Sequence, residues 1–517
     1  MKKLIIRRES YYDSVFLMLA SRAAKQISGV IEAAAVMGTE TNVDLLQDIG
    51  FDETEFEDVR PNDLMVAVEA ESEEAITEAL EAVNEFLNKK TDFKGEEAYR
   101  PVSLSNAIRF APQSNLVLIS VPGAYAAREA RMALNNDLHV MLFSDNVPIE
   151  DEIELKKTAL DRGLLMMGPD CGTAIINGKP LCFANRVRQG DIGLVAASGS
   201  GLQEVTSCIH RMGAGISQAI GTGGRDLKDP RVGGLMMKMG IQALSHDRPT
   251  RVIVVISKPP AQALVEDAIS WLKKTGKPCV ICFLGQRKRP PEEDLWFAES
   301  LEETARLAVR LSRGEGFSHD AFAVSPGEIE EIAAGEIKRM DRSQRYLRGL
   351  YAGGTLADEA IFGLESEGIE IYSNVQSNQD FLLQDPRVSR KHTIIDLGDD
   401  TFTLGRPHPM IDPSIREERL RAEVADPEVA VVLMDFVLGD GAHENPAGEI
   451  VDCLVKARQF QEKTGRHISI VASITGTDED FQDMDEQKKI LESQDCIVMP
   501  SNYQAGLVAA AIIRRIC

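Results

Sequence analysis

From residue 101 onward one pattern recurs along the chain. A continuous apolar run ends in a turn of small residues, and an amphipathic stretch follows. NLVLISVPG leads into AYAAREARMALNN, HVMLFSD into IEDEIELKKTALDRG, and GLVAAS into GLQEVTSCIHRMG. RVIVVISKPP leads into a helix ending WLKKTG, with PCVICFLG after it. Strands that are apolar along their whole length are buried on both faces, as in parallel sheets covered by helices. The pattern therefore predicts an α/β protein with several doubly wound parallel-sheet domains, Rossmann-like and flavodoxin-like. Ligands of such sheets bind beyond the carboxyl ends of the strands, where these turns fall.

Residues 1–98 read differently. LIIRR, VIEAAAVMG and DLMVAVEA have strand character, and Tyr12–Gln26 reads as a helix. SEEAITEALEAVNEFLNKK is a second helix, with Ser72 as its cap. Alternation on this scale predicts a small α+β domain of ferredoxin-like type. The polar stretch TDFKGEEAYRP then reads as a linker. A second linker containing a helix spans 314–345, and a new α/β unit opens at YLRGLYAGGTLADEAIFG. At an offset of 155 positions, ASGSGLQEV (197–205) falls on AGGTLADEA (352–360); Ala, Gly and Glu recur in register and Ser200 meets Thr355. Two related α/β domains are expected, the second running through HTIIDLGDD, VAVVLMDFVLGDG, HISIVASITG and CIVMPS to a final helix.

Composition narrows the partners. Lys and Arg total 57 against 81 Asp and Glu, a net charge of −24. Such a surface repels nucleic acid and anionic membrane, while a local set of N–H dipoles can still bind a small anion. No run approaches the ~18 apolar residues of a membrane span. MKKLIIRRES is not a secretory leader, and Cys517 lacks the spacing of a prenylation signal. Eight scattered cysteines fit a reducing cytoplasm. Cys279 and Cys282 share CxxC spacing inside an apolar strand, with no second half-site nearby, so they are read as buried thiols rather than metal ligands. No metal site is expected.

Four turns could carry chemistry. In GLVAASGSGLQEV, Ser198, Gly199, Ser200 and Gly201 head a helix, where amides and the helix dipole favour an anion; a tight turn capped by serine accounts for the same residues. Gly354 and Thr355 occupy the corresponding turn of the repeat. FVLGDGAHENP passes from strand to helix through Gly439, Gly441 and His443, with Asn445-Pro446 as cap and first-turn residue. GPDCGTAI contributes Asp170 and Cys171, and GTGGRDL contributes Gly223, Gly224, Arg225 and Asp226. Arg225 could hold a carboxylate bidentately, or pair locally with an aspartate. His408 stands between two prolines, and Asp412-Pro413 caps the helix after it. His443 and His408 are the candidate acid/base groups.

These motifs carry a resemblance. GPDCGTAI, GDIGLVAASGSGLQEV and GAGISQAIGTGGRDL occur in the order found in the α subunit of succinyl-CoA synthetase. LYAGGTLADEA, IIDLGDD and VAVVLMDFVLGDG resemble the ligase domain of its β subunit. With RRESYYDSVFLMLASR, AAAVMGTETN and DLGDDTFTLGRPHPMIDP added, nearly the whole chain resembles the FdrA family of acyl-CoA synthetases. The resemblance implies a truncated Rossmann-like domain at 101–189, a flavodoxin-like domain at 190–313 and another at 346–517. It also implies a phosphoryl group held between two facing helix ends, matched to Ser198–Gly201 and Gly439–His443. The substrate carboxylate pocket is matched to the GPDCG and GTGGRD turns.

The departures are equally specific. Where the synthetases carry a phosphohistidine, CFLGQRKRPPEEDLWFAESLEE has no histidine, and Lys258 stands near the expected place of its supporting glutamate. The CoA-clasping glycine-rich loop and the nucleotide-binding portion are missing, so no cofactor is expected in the chain itself. Without a carrier histidine, an acyl phosphate such as carbamoyl phosphate becomes the expected ligand. FdrA relatives imply oxamate carbamoyl transfer in allantoin degradation, with separately encoded subunits, in an oligomer acting on small anions. Two alternatives stand beside this: an acyl-CoA synthetase subunit that uses CoA and a nucleotide supplied by a partner, and a non-catalytic anion-binding scaffold.

Overall fold

The computed structural model describes residues 1–10, 12, 14–48, 50–56, 58–88, 101, 103–314, 324–403 and 406–516. Most of the first linker, part of the second (315–323) and Cys517 lie outside them. The chain forms two compact units. The first comprises Met1–Tyr99 with Leu397–Ile415, and the second comprises Arg100–Asp396 with Arg416–Cys517.

The first unit is the expected small α+β domain. Its elements run β1 (Lys2–Arg7), α1 (Ser14–Lys25), β2 (Val30–Met37), α2 (Glu40–Asp48), β3 (Leu64–Ala70) and α3 (Glu73–Asn88). The strands form an antiparallel sheet of order β1-β3-β2. Alternate residues of β3 (Leu64, Val66, Val68) pack with Leu17 and Ala20 of α1 and with Ile76 and Val83 of α3. Ser72 Oγ accepts from the Ala75 amide and so caps α3. The short α2 was not anticipated, because ETNVDLLQD lies between polar turns and lacks a long apolar face.

The second unit holds three layers, two of them parallel throughout and one mixed. The first follows α4 (Leu104–Phe110) and contains β4 (Leu116–Ile119), α5 (Gly123–Asn135), β5 (His139–Leu142), α6 (Ile149–Arg162) and β6 (Met166–Met167). The next contains β7 (Thr173–Ile176), β8 (Lys179–Cys182), β9 (Gln189–Ala197), α7 (Gly199–Arg211), β10 (Ile216–Gly221) and α8 (Leu235–His246). It continues through β11 (Val252–Ser257), α9 (Gln262–Lys273), β12 (Cys279–Phe283), β13 (Leu295–Ala298) and α10 (Leu301–Arg313). Its sheet order is β13-β12-β11-β9-β10-β7-β8.

After α11 (Pro326–Ile337) come β14 (Tyr346–Tyr351), α12 (Gly354–Ser366), β15 (Tyr372–Ser373) and β16 (Thr393–Asp396). A helical turn α13 (Asp400–Thr403) falls within the segment grouped with the first unit. The chain then runs through α14 (Ser414–Ala425), β17 (Val429–Val437), α15 (Pro446–Glu449), α16 (Val451–Thr464), β18 (Ser469–Thr475), α17 (Met484–Ser493), β19 (Ile497–Met499) and α18 (Asn502–Ile516). This sheet has the order β15-β16-β14-β17-β18-β19 and is parallel throughout. No helix among the described residues is long and apolar enough to cross a membrane.

One strand pair lies elsewhere than the sequence boundary at 189 implies. β7 and β8 join the seven-stranded sheet through β10, in antiparallel pairing. They are linked by Asn177 and Gly178, both in left-handed conformation (φ 50° and 72°), as a two-residue hairpin requires. The hairpin thus carries the 168–172 turn over to the carboxyl edge of the second sheet.

The first two layers are pinned by a buried cation. Lys156 of α6 is fully buried, with Nζ 2.8 Å from both Glu152 and Asp226 and 2.9 Å from the Thr222 carbonyl. Asp226 also accepts from the Met236 and Met237 amides at the start of α8. Removing the cation leaves Asp226 buried without a counter-ion and Glu152 with Arg225 alone, and breaking a buried pair typically costs about 3–5 kcal/mol. We expect Lys156→Met to lose stability of that order, read as a lowered urea midpoint in the full chain.

Candidate functional site

The expected strand-to-helix turn is built as the sequence suggests. β9 is apolar and almost wholly buried up to Ala197, and Ser198 leaves the sheet in extended conformation (φ −169°). Its Oγ accepts from the Gly201 amide at 3.1 Å and so caps α7. The amides of Gly199 and Ser200 head the same helix.

Its counterpart is the head of α12. Ser198 Oγ and Thr355 Oγ1 are hydrogen-bonded at 2.7 Å, and the Thr355 amide donates to Ser200 Oγ at 3.2 Å. The two helix heads of the internal repeat therefore meet each other directly. Glycine is required for this approach: a Cβ at Gly201 would lie 3.0 Å from Thr355 Cγ2, and one at Gly353 2.9 Å from Ser200 Cβ. Two positive helix ends placed together need compensation. Asp435, at the buried end of β17, accepts from the Ala352 and Gly353 amides at 2.8 and 2.7 Å and pairs with Arg416 at 2.9 Å.

Below the heads, the repeat's glutamates converge. Glu204 of α7 accepts from Thr475 at 2.5 Å and from the Asn502 amide at 3.1 Å. Glu359 of α12 accepts from the Leu301 amide at 2.7 Å and from the Asn502 side chain at 2.8 Å. Glu302 of α10 accepts from Ser501 and Gln504. All three are buried. Burial raises the Glu204 carboxyl, and burial, with Glu204 and Glu302 nearby, pushes Glu359 up to about 8.

Lys258, just after β11, stands beside the α12 head. Its Nζ lies 3.0 Å from Asp358, and a Cβ on Gly354 would sit 3.0 Å from Nζ and closer still to Asp396. Burial opposes its charge, but the Asp358 and Asp396 carboxylates outweigh that and hold the ammonium above its ordinary value.

The remaining sequence candidates fall in three places. The 168–171 and 221–226 turns pack backbone to backbone: a Cβ on Gly223 would strike the Pro169 carbonyl, and Gly224 faces Asp170. Cys171 is buried there, which pushes its thiol up to about 12 and makes it a poor nucleophile. Arg225 is half-buried, its guanidinium pairing with the buried Glu152 at 2.8 Å and donating to the Val147 carbonyl. Asp226 is the buried partner of Lys156, so its role is to join layers.

Gly439, Gly441 and His443 form a separate turn. Asp440 exchanges backbone bonds with Ala184, and Gly439 and Gly441 pack against the backbone of 182–185. The His443 ring faces its own loop: Nδ1 accepts from the Asn445 amide at 3.0 Å, and Nε2 lies 3.8 Å from Glu449. The helix head that meets α7 is therefore that of α12 rather than this turn. The correspondence drawn on order and glycine content missed this, although the offset of 155 already paired Ser200 with Thr355. His408 belongs to the segment grouped with the first unit, where its Nδ1 accepts from the Met410 amide.

Cys279 and Cys282 are buried in β12, their thiols raised to about 11 and about 12 by desolvation. Among the described residues no group of His, Cys, Asp and Glu could hold a metal ion. Residues 1–101 contain neither cysteine nor histidine.

Comparison with known proteins agrees with this architecture. A CoA-ligase family model matches residues 350–512. A model described as AllF, heavy metal-associated domain, matches residues 1–101. That domain's metal does not fit here, because this stretch lacks thiolate and imidazole donors. The α subunits of succinate–CoA ligase are similar as well. The mitochondrial α-2 subunit of Trichomonas vaginalis is 28% identical, over 44% of this chain and 74% of its own. The α subunit of Staphylococcus epidermidis is 26% identical, over 41% and 70%. Among solved structures, an acetyl-coenzyme A synthetase of Ca. Korarchaeum cryptofilum covers 78% of this chain and 83% of its own, at 16% identity and a TM-score of 0.29. An ATP citrate lyase of Methanothrix soehngenii covers 45% of each chain, at 17% identity and a TM-score of 0.35. The protein is thus a member of the CoA-ligase, succinyl-CoA synthetase α-like superfamily. Within it, the chain belongs to the family of YahF of Escherichia coli (strain K12), an uncharacterized protein 44% identical over 99% of this chain and 98% of its own.

The buried glutamates make stability depend on pH. Glu359 is protonated in the fold up to about 8 but ionises near 4.5 when unfolded, so its stabilisation is lost as pH rises between these values. We expect the melting temperature of the wild type to fall from pH 5 to 8, and Glu359→Gln to show a shallower fall, measured by differential scanning fluorimetry.

Proposed function

We propose that this chain is an FdrA-like subunit that binds an acyl phosphate, such as carbamoyl phosphate, at the joined heads of α7 and α12. Its reaction is transfer of the acyl group to a small carboxylate-bearing acceptor such as oxamate. The observation that carries this reading is the pairing of the two heads through Ser198, Ser200 and Thr355, with Lys258 beside them. Amides of Gly199, Ser200 and Gly354 would hold the phosphate, and Lys258 would add the mobile cationic donor. In the transfer, the acceptor nitrogen bonds to the carbonyl carbon, the carbon–oxygen bond to phosphate breaks, and phosphate leaves with the electron pair. The proton lost from nitrogen ends on the released phosphate. The segment 279–303 supplies no histidine to carry a phosphoryl group.

CoA enters no step. The first layer has one strand-to-helix turn ahead of α5, and there Gly123 already lies against the backbone of Asp145 and Asn146. A second reading, a CoA ligase completed by a partner that supplies the nucleotide site, is favoured by the CoA-ligase match over 350–512. The subunits, the oligomer and a cytoplasmic setting belong to the same proposal.

We expect inorganic phosphate and carbamoyl phosphate to raise the melting temperature of the full chain, and Gly201→Val to abolish the rise. No shift with either ligand overturns the acyl-phosphate reading. With neighbouring subunits co-purified, turnover of carbamoyl phosphate with oxamate supports it. Thioester formation from CoA and ATP supports the second reading instead.

A further inference from the structure

We propose that Thr173 is a binding residue of this cradle, its hydroxyl donating to the anion held at the head of α7. The inference rests on the reading that an anion binds there. Thr173 opens β7, where the 168–172 turn enters the seven-stranded sheet, and it is 2% exposed. Its Oγ1 is buried and has no hydrogen-bond partner. A desolvated hydroxyl left unpaired is unfavourable, so an acceptor brought within its reach is favoured.

The hydroxyl is aimed at the helix head. A Cβ at position 199 would lie 3.3 Å from Thr173 Oγ1, with no other atom near it beyond Gly199's chain neighbours and its own helix. Position 199 is therefore bare in the direction from which this hydroxyl points. Ser198 Oγ does not satisfy it, being committed to the Gly201 amide and to Thr355. An anion with several acceptor oxygens, such as a phosphoryl group, can take the Gly199 and Ser200 amides and the Thr173 hydroxyl together. Through its backbone Thr173 also meets the 168–171 turn: its carbonyl accepts from the Cys171 thiol at 3.6 Å. Sequence reading passed over Thr173 because its pattern is that of an ordinary strand threonine.

Calorimetric titration of the full chain with inorganic phosphate and with carbamoyl phosphate tests this. A hydrogen bond to a charged ligand corresponds to a loss of about ten-fold or more in affinity. Thr173→Val keeps the shape and should bind both ligands about ten-fold more weakly, with an unliganded melting temperature unchanged or higher. Thr173→Ser should restore binding to within about two-fold. Gly199→Ala, whose methyl would fill the bare position beside Thr173 Oγ1, should weaken binding with residue 173 left as threonine. Unchanged affinity in Thr173→Val overturns the inference while leaving the anion site standing. So does a marked drop in its unliganded melting temperature, or a loss that Thr173→Ser fails to restore. Failure of the wild type to bind either ligand overturns both.

Discussion

The second unit depends on one contact, the hydrogen-bonded meeting of two helix heads. Each helix ends in amides without acceptors of their own and a partial positive charge. Bringing two such ends together is unfavourable unless acceptors are supplied. The protein supplies them in tiers: Ser198, Ser200 and Thr355 at the contact, and Asp435 behind the α12 turn, itself neutralised by Arg416. Glycine at 201 and 353 lets the backbones come close enough for the hydroxyls to reach across. The N–H donors concentrated there, with the Lys258 ammonium beside them, are the basis for the anion site proposed above.

The depth of the seam is governed by one residue, Asn502. Its amide serves Glu204 and its side chain serves Glu359, the two glutamates that correspond in the repeat. A third, Glu302, is held by the neighbouring Ser501 and Gln504. Burial and neighbouring carboxylates raise Glu204 and Glu359 above the ordinary carboxylate range, while Glu302 is also paired with Arg306. The start of α18 thus ties α7, α10 and α12 together from below, while the hydroxyl contact ties α7 to α12 from above.

The chain departs from the succinyl-CoA synthetase pattern at the position of the carrier side chain. The histidine is absent, and a lysine held charged by Asp358 and Asp396 stands beside the α12 head. An ammonium cannot act as a phosphoryl carrier and a carboxylate support at once, but it attracts an anionic oxygen. Residues 1–101 match a heavy metal-associated domain model yet contain neither cysteine nor histidine.

The sequence by itself determined the elements. The buried parallel strands, the Ser198 cap, the Ser72 cap and the small α+β unit follow from apolar periodicity and turn chemistry, which are local. The offset of 155 positions even pairs Ser200 with Thr355 and Glu204 with Glu359. Tertiary structure alone decided that these pairs touch, because contact between residues so far apart depends on how the sheets dock. It placed Arg225 and Asp226 in internal ion pairs with α6, turned His443 into its own loop, and grouped His408 with the first unit. It also left the Thr173 hydroxyl unpaired against a bare helix head, which no local pattern encodes. The reason is physical: a strand or a cap is specified by neighbours a few residues away, whereas a charge's partner is whatever the packed fold brings within about 3 Å.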